Sequence, residues 1–135
     1  MKQIIVNKQD YERIYKCVID AKQVRTIQAS EADKLLLELK SAKLMDAKNI
    51  PANVVTMNSI VKLELANKKT MQLKIVYPWD ANLKEQRMSI FSPIATALLG
   101  YQVGDEIEWA VPGGMMRVKI SEIVYQPEAA GDFES

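Results

Sequence analysis

The hydrophobic period changes once along this chain of 135 residues, close to Pro51. Upstream, apolar side chains recur at the roughly 3.6-residue spacing of a helix face; downstream they alternate at the spacing of about 2 that belongs to a half-buried strand. Neither half suits an all-helical or an all-strand fold. The pattern predicts an α+β protein with helices first and an antiparallel sheet after them.

In the first half, Tyr11, Ile14, Tyr15 and Val18 form one stripe, preceded by Asn7 as a helix N-cap with Asp10 three residues on, in capping-box fashion. A polar stretch, residues 20–29, interrupts the stripe. Ser30 followed by Asp33 announces a second helix whose face is Ala32, Leu35, Leu36, Leu39 and Ala42. Two consecutive amphipathic helices with a short connector predict a short antiparallel helical hairpin over residues 1–50. Residues 48–52, with Pro51, mark the boundary to a second domain, residues 51–135.

In the second half, Val61, Leu63 and Leu65, the polar turn Asn67-Lys68-Lys69-Thr70, and then Met71, Leu73, Ile75 and Tyr77 read as a hairpin with one buried face. A polar loop over residues 78–87 leads to a short strand near Met88 to Phe91. Ser92 as N-cap and Pro93 at the first helical position start a short helix that Gly100 ends, with Leu98 and Leu99 as anchors. Val103-Gly104-Asp105 turns into a strand carrying Ile107, Trp109 and Val111. Pro112-Gly113-Gly114 reverses the chain, and Met116, Val118 and Ile120 return. The phase then shifts to Ile123 and Tyr125, which predicts a bulge near Ser121-Glu122. Residues 128–135 read as an acidic, frayed end.

Missing residue types limit the chemistry. There is no histidine, so Ser-His-Asp and Cys-His catalysis and histidine metal sites are absent. The single cysteine, Cys17, forms no internal disulfide and points to a reducing, cytoplasmic setting; beside an apolar stripe it reads as an inert thiol. No phosphate loop or dinucleotide-binding turn occurs. Glu106 and Glu108 share the polar face of one strand with Asp105 just before it, which is the pattern of solvated residues. Residues 1–50 carry a net charge of +3 and residues 51–135 a net −2, with no dense basic stripe, so direct DNA binding is not expected. No apolar run approaches the length of about 20 residues that spans a bilayer. The prior is a cytoplasmic binding or regulatory protein without cofactor or metal, and not an enzyme.

Several motifs in order carry a resemblance. Ser92-Pro93-Ile94-Ala95-Thr96-Ala97-Leu98-Leu99-Gly100, Val103-Gly104-Asp105 and Pro112-Gly113-Gly114 resemble the C-terminal domain of the GreA/GreB transcript cleavage factors. Val54-Val55-Thr56-Met57-Asn58-Ser59 and Tyr125-Gln126-Pro127-Glu128-Ala129-Ala130-Gly131-Asp132 are similar to the Rnk proteins, the regulators of nucleoside diphosphate kinase. The resemblance covers residues 51–132 strongly and the helical segment loosely. It implies an FKBP-like C-terminal domain, a twisted antiparallel sheet around a short helix, and a coiled-coil N-terminal hairpin. It also implies binding to bacterial RNA polymerase near its secondary channel, with Ser92 and Pro93 in the gripping motif. GreB has an acidic residue just before that motif; Phe91 stands there, so exposure of Phe91 would favour an apolar contact in place of an ionic one, and burial would make it core.

Nucleoside diphosphate kinases carry phosphate on a histidine, so without one this chain is expected to act on such a kinase only indirectly. Asp20, Lys22, Arg25, Glu31 and Asp33 are expected near the hairpin tip, where ordinary solvated charge is the competing account. The tip lacks the paired acids with which GreA-type factors help hold a magnesium ion, and each helix of about 12–15 residues makes a rod of only about 18–23 Å. Transcript cleavage is therefore not expected. Two other readings are weaker: a peptidyl-prolyl isomerase, suggested by fold alone, and an adaptor that binds another protein through the helical hairpin.

Overall fold

The computed structural model describes residues 4–23, 29–111 and 113–131, and for 29–31 and 109–111 the backbone only. Strand β1 (Ile5–Asn7) leads into helix α1 (Lys8–Gln23), followed by α2 (Ala29–Ser41) and β2 (Lys43–Met45). A 3₁₀ turn at Ala47–Asn49 precedes β3 (Ile60–Leu65) and β4 (Thr70–Val76). Two more 3₁₀ turns, Pro78–Asp80 and Leu83–Glu85, lead to β5 (Arg87–Ser89), α3 (Pro93–Leu98), β6 (Glu106–Val111), β7 (Gly114–Tyr125) and α4 (Pro127–Ala130).

The helical stripes meet as their spacing requires. Ile14 and Val18 of α1 and Ala32, Leu35 and Leu39 of α2 are buried, and Leu36 is partly so. Tyr15 lies at the edge, 42% exposed and stacked on Tyr11. The two short strands flanking the helices were not expected. β1 pairs with β2 in parallel, Ile5 opposite Lys43, because the returning helix brings residues 43–45 alongside the start of the chain. Three-residue strands are too short to show a period, so tertiary pairing alone reveals them.

The main sheet has the order β5-β4-β3-β7-β6. Its centre is antiparallel, with Val61 opposite Leu73 and Leu63 opposite Ile120. Val61, Leu63, Leu73, Ile75, Val118 and Ile120 fill the buried face against Ile94, Leu98 and Leu99. The predicted bulge is present: Glu122 faces Lys62 and Ile120 faces Leu63, so Ser121 is the extra residue, and its hydroxyl donates to the Lys62 carbonyl at 3.0 Å. A second shift lies between Ile60 and Val61. The expectation of a wholly antiparallel sheet needs correction at one edge. β5 runs parallel to β4, because the 3₁₀ turns carry the chain back before it pairs.

Glu106 and Glu108 are exposed beside buried Ile107, as the alternation predicts. The expected frayed end over residues 128–135 is corrected for its first part, residues 132–135 lying outside the described residues. Residues 127–130 form α4, capped by the Gln126 side chain, which accepts from Ala129 N–H at 3.1 Å and donates to the Pro51 and Val54 carbonyls. No helix among the described residues is long and apolar enough to cross a membrane.

Gly100 ends α3 at φ +82° and seats the N-terminal segment. Its carbonyl accepts from Ile5 N–H at 3.2 Å, and its own N–H donates to Val55 at 2.9 Å. A Cβ there would lie 2.5 Å from Ile4 Cβ. Gly100→Ala combines left-handed backbone strain with a clash against a buried residue. We expect a loss of about 2 kcal/mol or more, read as a lower urea midpoint at unchanged slope.

Candidate functional site

The Ser92–Pro93 turn sits where β5 ends. Ile90 N–H donates to the Val76 carbonyl at 2.8 Å, which carries the β5 pairing one step past Ser89 and brings the chain against the end of β4. Ser89 then shapes the turn, its hydroxyl accepting from Phe91 N–H at 3.0 Å and its carbonyl from Ser92 N–H at 2.9 Å. Ser92 takes extended dihedrals, and its Oγ accepts from Ala95 N–H at 3.4 Å. Thr96 Oγ1 donates to the Ile90 carbonyl at 2.7 Å and closes the loop from inside. Pro93, the first helical residue, is exposed, while Ser92 is half-buried. Phe91 is also half-buried and packs on the core, so it is a wall of the turn with one edge at the surface.

Trp79 adds surface that the residue pattern did not single out. It is 70% exposed, and its ring stacks on buried Tyr77 at 5.1 Å between centroids. Since Tyr77 follows Val76 directly, this indole emerges from the same end of the sheet as Phe91.

The expected hairpin-tip residues are not all in a connector. α1 runs through Gln23, so Asp20 and Lys22 lie in its last turns, both exposed. The sequence break at residue 20 reflects the polar outer side of a continuing helix. Lys22 Nζ meets Asp33 Oδ1 of α2 at 2.9 Å, an exposed ion pair worth at most about 1 kcal/mol. Arg25 and the Glu31 side chain lie outside the described residues.

A buried polar cluster lies at the start of α1. Asn7 Oδ1 accepts from Asp10 N–H at 2.7 Å, so the expected N-cap is made. The Asp10 carboxylate does not simply close a capping box. Its Oδ2 accepts from Asn7 Nδ2 at 3.1 Å and from Met57 N–H at 3.3 Å, and its Oδ1 accepts from Tyr77 hydroxyl at 3.5 Å. The same Asn7 Nδ2 donates to Glu128 Oε2 at 2.6 Å, across 121 residues of sequence. Glu128 Oε1 accepts from Thr56 hydroxyl at 2.8 Å. Thr56 has one hydroxyl proton, so Ser59 donates to Thr56 Oγ1 at 2.7 Å while accepting Thr56 N–H. Burial, and then the charge of Glu128, push the Asp10 carboxyl up to about 7. Burial and the charge of Asp10 also raise the Tyr77 hydroxyl. Cys17 is half-buried with its thiol raised by burial, the state of an unreactive cysteine.

Comparison with known proteins places this geometry. The family model "Transcription elongation factor, GreA/GreB, C-term" matches residues 50–125, the sheet, the Ser92–Pro93 turn and α3. The chain belongs to the GreA/GreB family. The regulator of nucleoside diphosphate kinase of Escherichia coli strain K12 is 39% identical over 132 residues, covering 96% of this chain and 95% of the relative. The transcription elongation factor GreA of Acetivibrio thermocellus is 36% identical over 86 residues, 63% of this chain and 54% of that factor. Among solved structures, a GreA/GreB prokaryotic transcription elongation factor from Nitrosomonas europaea aligns with a TM-score of 0.77 at 37% identity, over 91% of this chain and all of that one. This GreA/GreB relative is thus a regulator of the elongation-factor type, and its near full-length match is to a protein named as a regulator.

Within the GreA/GreB frame, the cap at Ser92 is the first element to test. Ser92→Ala removes one acceptor and lowers stability by about 0.5–2 kcal/mol, whereas Ser92→Asp restores most of it. Thermal denaturation of the two variants checks this.

Proposed function

We propose that this chain is a non-enzymatic regulator that binds bacterial RNA polymerase near its secondary channel through the turn Phe91-Ser92-Pro93. The supporting observation is the turn itself: a proline held at the surface by a capped helix start, over a half-buried aromatic, within the segment that the family match covers. The reading assigns residues 1–50 to a helical hairpin of coiled-coil type and residues 51–135 to an FKBP-like domain that docks. Any influence on nucleoside diphosphate kinase is indirect, since the chain has no histidine to carry phosphate.

The hairpin is a poor device for transcript cleavage. α1 and α2, with 16 and 13 residues, extend about 24 and about 20 Å. Asp33, near the end of that rod, is already paired with Lys22. Residues 24–28 contain Arg25 and no acid, so this end offers little to a hard cation, which needs several oxygen ligands close together. Occupancy without cleavage follows, in competition with longer factors.

Purified core polymerase should retain the wild-type chain, and Ser92→Ala combined with Pro93→Ala should weaken retention about tenfold or more while the circular dichroism spectrum stays that of the folded protein. Equal retention of the folded double variant would place the interface elsewhere. In backtracked complexes the protein should leave cleavage at the intrinsic rate and reduce cleavage stimulated by GreA. Stimulation by the protein alone would refute the reading.

A further inference from the structure

The Asp10–Glu128 pair does nothing in the proposed docking surface, yet it is built with care. One amide nitrogen, Asn7 Nδ2, gives a hydrogen to each carboxylate, at 3.1 and 2.6 Å, and so holds two acids from opposite ends of the chain side by side. Asp10 is 6% exposed and Asn7 4%. Two like charges held close in a poorly hydrated site do not both ionise readily. We propose that this pair is a proton-controlled clasp: with one proton on the two carboxyls it fastens α4 to the start of α1, and loss of that proton loosens α4.

The hydrogen bonds indicate which acid takes the proton. Glu128 accepts two short bonds, from Asn7 and from Thr56 at 2.8 Å, and is only half-buried. The bonds to Asp10, at 3.1, 3.3 and 3.5 Å, are longer, and its carboxyl is the more buried. Asp10 is therefore the group that holds the proton. The groups facing it are Glu128 on α4, which opposes its ionisation, Arg13 one turn along α1, which favours it, and the Tyr77 hydroxyl beyond β4. Arg13 also bonds Tyr77, and Cys17 lies near that ring. The loop before β3 contributes only the uncharged Met57 N–H, Thr56 and Ser59.

The geometry also selects the part that moves. Asp10 is in the first turn of a 16-residue helix packed through Ile14 and Val18. α4 has four residues, too few to persist without its anchors. Those anchors are buried Pro127, the Gln126 side chain on two carbonyls, and Glu128. Repulsion at Glu128 is relieved by moving α4. For an acid whose folded-state pKa is raised from about 3.8 to about 7, the stabilising contribution is complete below the lower value and is lost as pH rises through the upper one.

The test is amide hydrogen exchange on the intact protein at pH 5.5 and 8.0, expressed as protection factors so that intrinsic exchange rates cancel. The Ala129, Ala130 and Gly131 amides should lose about tenfold in protection at the higher pH, and at both pH values they should exchange faster than Leu63 and Ile120 in the sheet, through a local opening of α4. Asp10→Asn, neutral throughout, should abolish the loss. Unchanged protection of α4 in the wild type, α4 amides as protected as those of the sheet at both pH values, or the same pH response in Asp10→Asn would each overturn the clasp. Should Asp10→Asn fail to fold, carboxyl carbon shifts in the wild type and in Glu128→Gln serve instead. Titration of Asp10 near neutrality that drops in Glu128→Gln supports the clasp; an ordinary aspartate titration in the wild type refutes it.

Discussion

The side-chain amide of Asn7 is the contact on which the arrangement turns. Its oxygen caps α1, and its nitrogen reaches both Asp10 and Glu128. Through Glu128 the bonding continues to Thr56 and Ser59 in the segment that precedes β3. The beginning, middle and end of the chain thus meet in one buried polar cluster. Buried charge is tolerated only when each polar atom finds a partner. Among the described residues no buried side-chain nitrogen or oxygen lacks one.

Around that cluster the apolar packing is continuous. Ile4 and Val6 of the first strand, the inner faces of both long helices and the inner face of the sheet belong to one buried group. Gly100 permits this closeness, because any side chain there would occupy the space of Ile4. The N-terminal segment before α1 is therefore seated on the end of α3 by backbone contact as well as by side chains.

The turn owes its form to strand β5. That strand is short and parallel to its neighbour, and it ends beside the end of β4. Phe91 and Trp79 consequently emerge from one end of the sheet, although twelve positions apart in sequence. Trp79 gave no signal in the residue pattern, because an aromatic in a polar loop looks alike whether it is buried or exposed. Its 70% exposure is a product of the 3₁₀ turns around it.

What the sequence alone determined is what local chemistry controls. The stripes of Ile14 and Val18 and of Leu35 and Leu39, the alternation of Val61 and Leu63 with Lys62, the cap at Ser92, the glycine at 100 and the bulge at Ser121 all follow from spacings of a few residues, where periodicity and capping act. Tertiary structure alone decided the pairing of β1 with β2, the parallel edge strand and the clasp between Asp10 and Glu128. Asn7 and Asp10 read as a simple helix start, and Glu128 as part of a loose acidic end, because no spacing rule links residues more than a hundred positions apart. Only burial turns three ordinary polar side chains into a coupled site: it removes the water that would otherwise have solvated each of them separately.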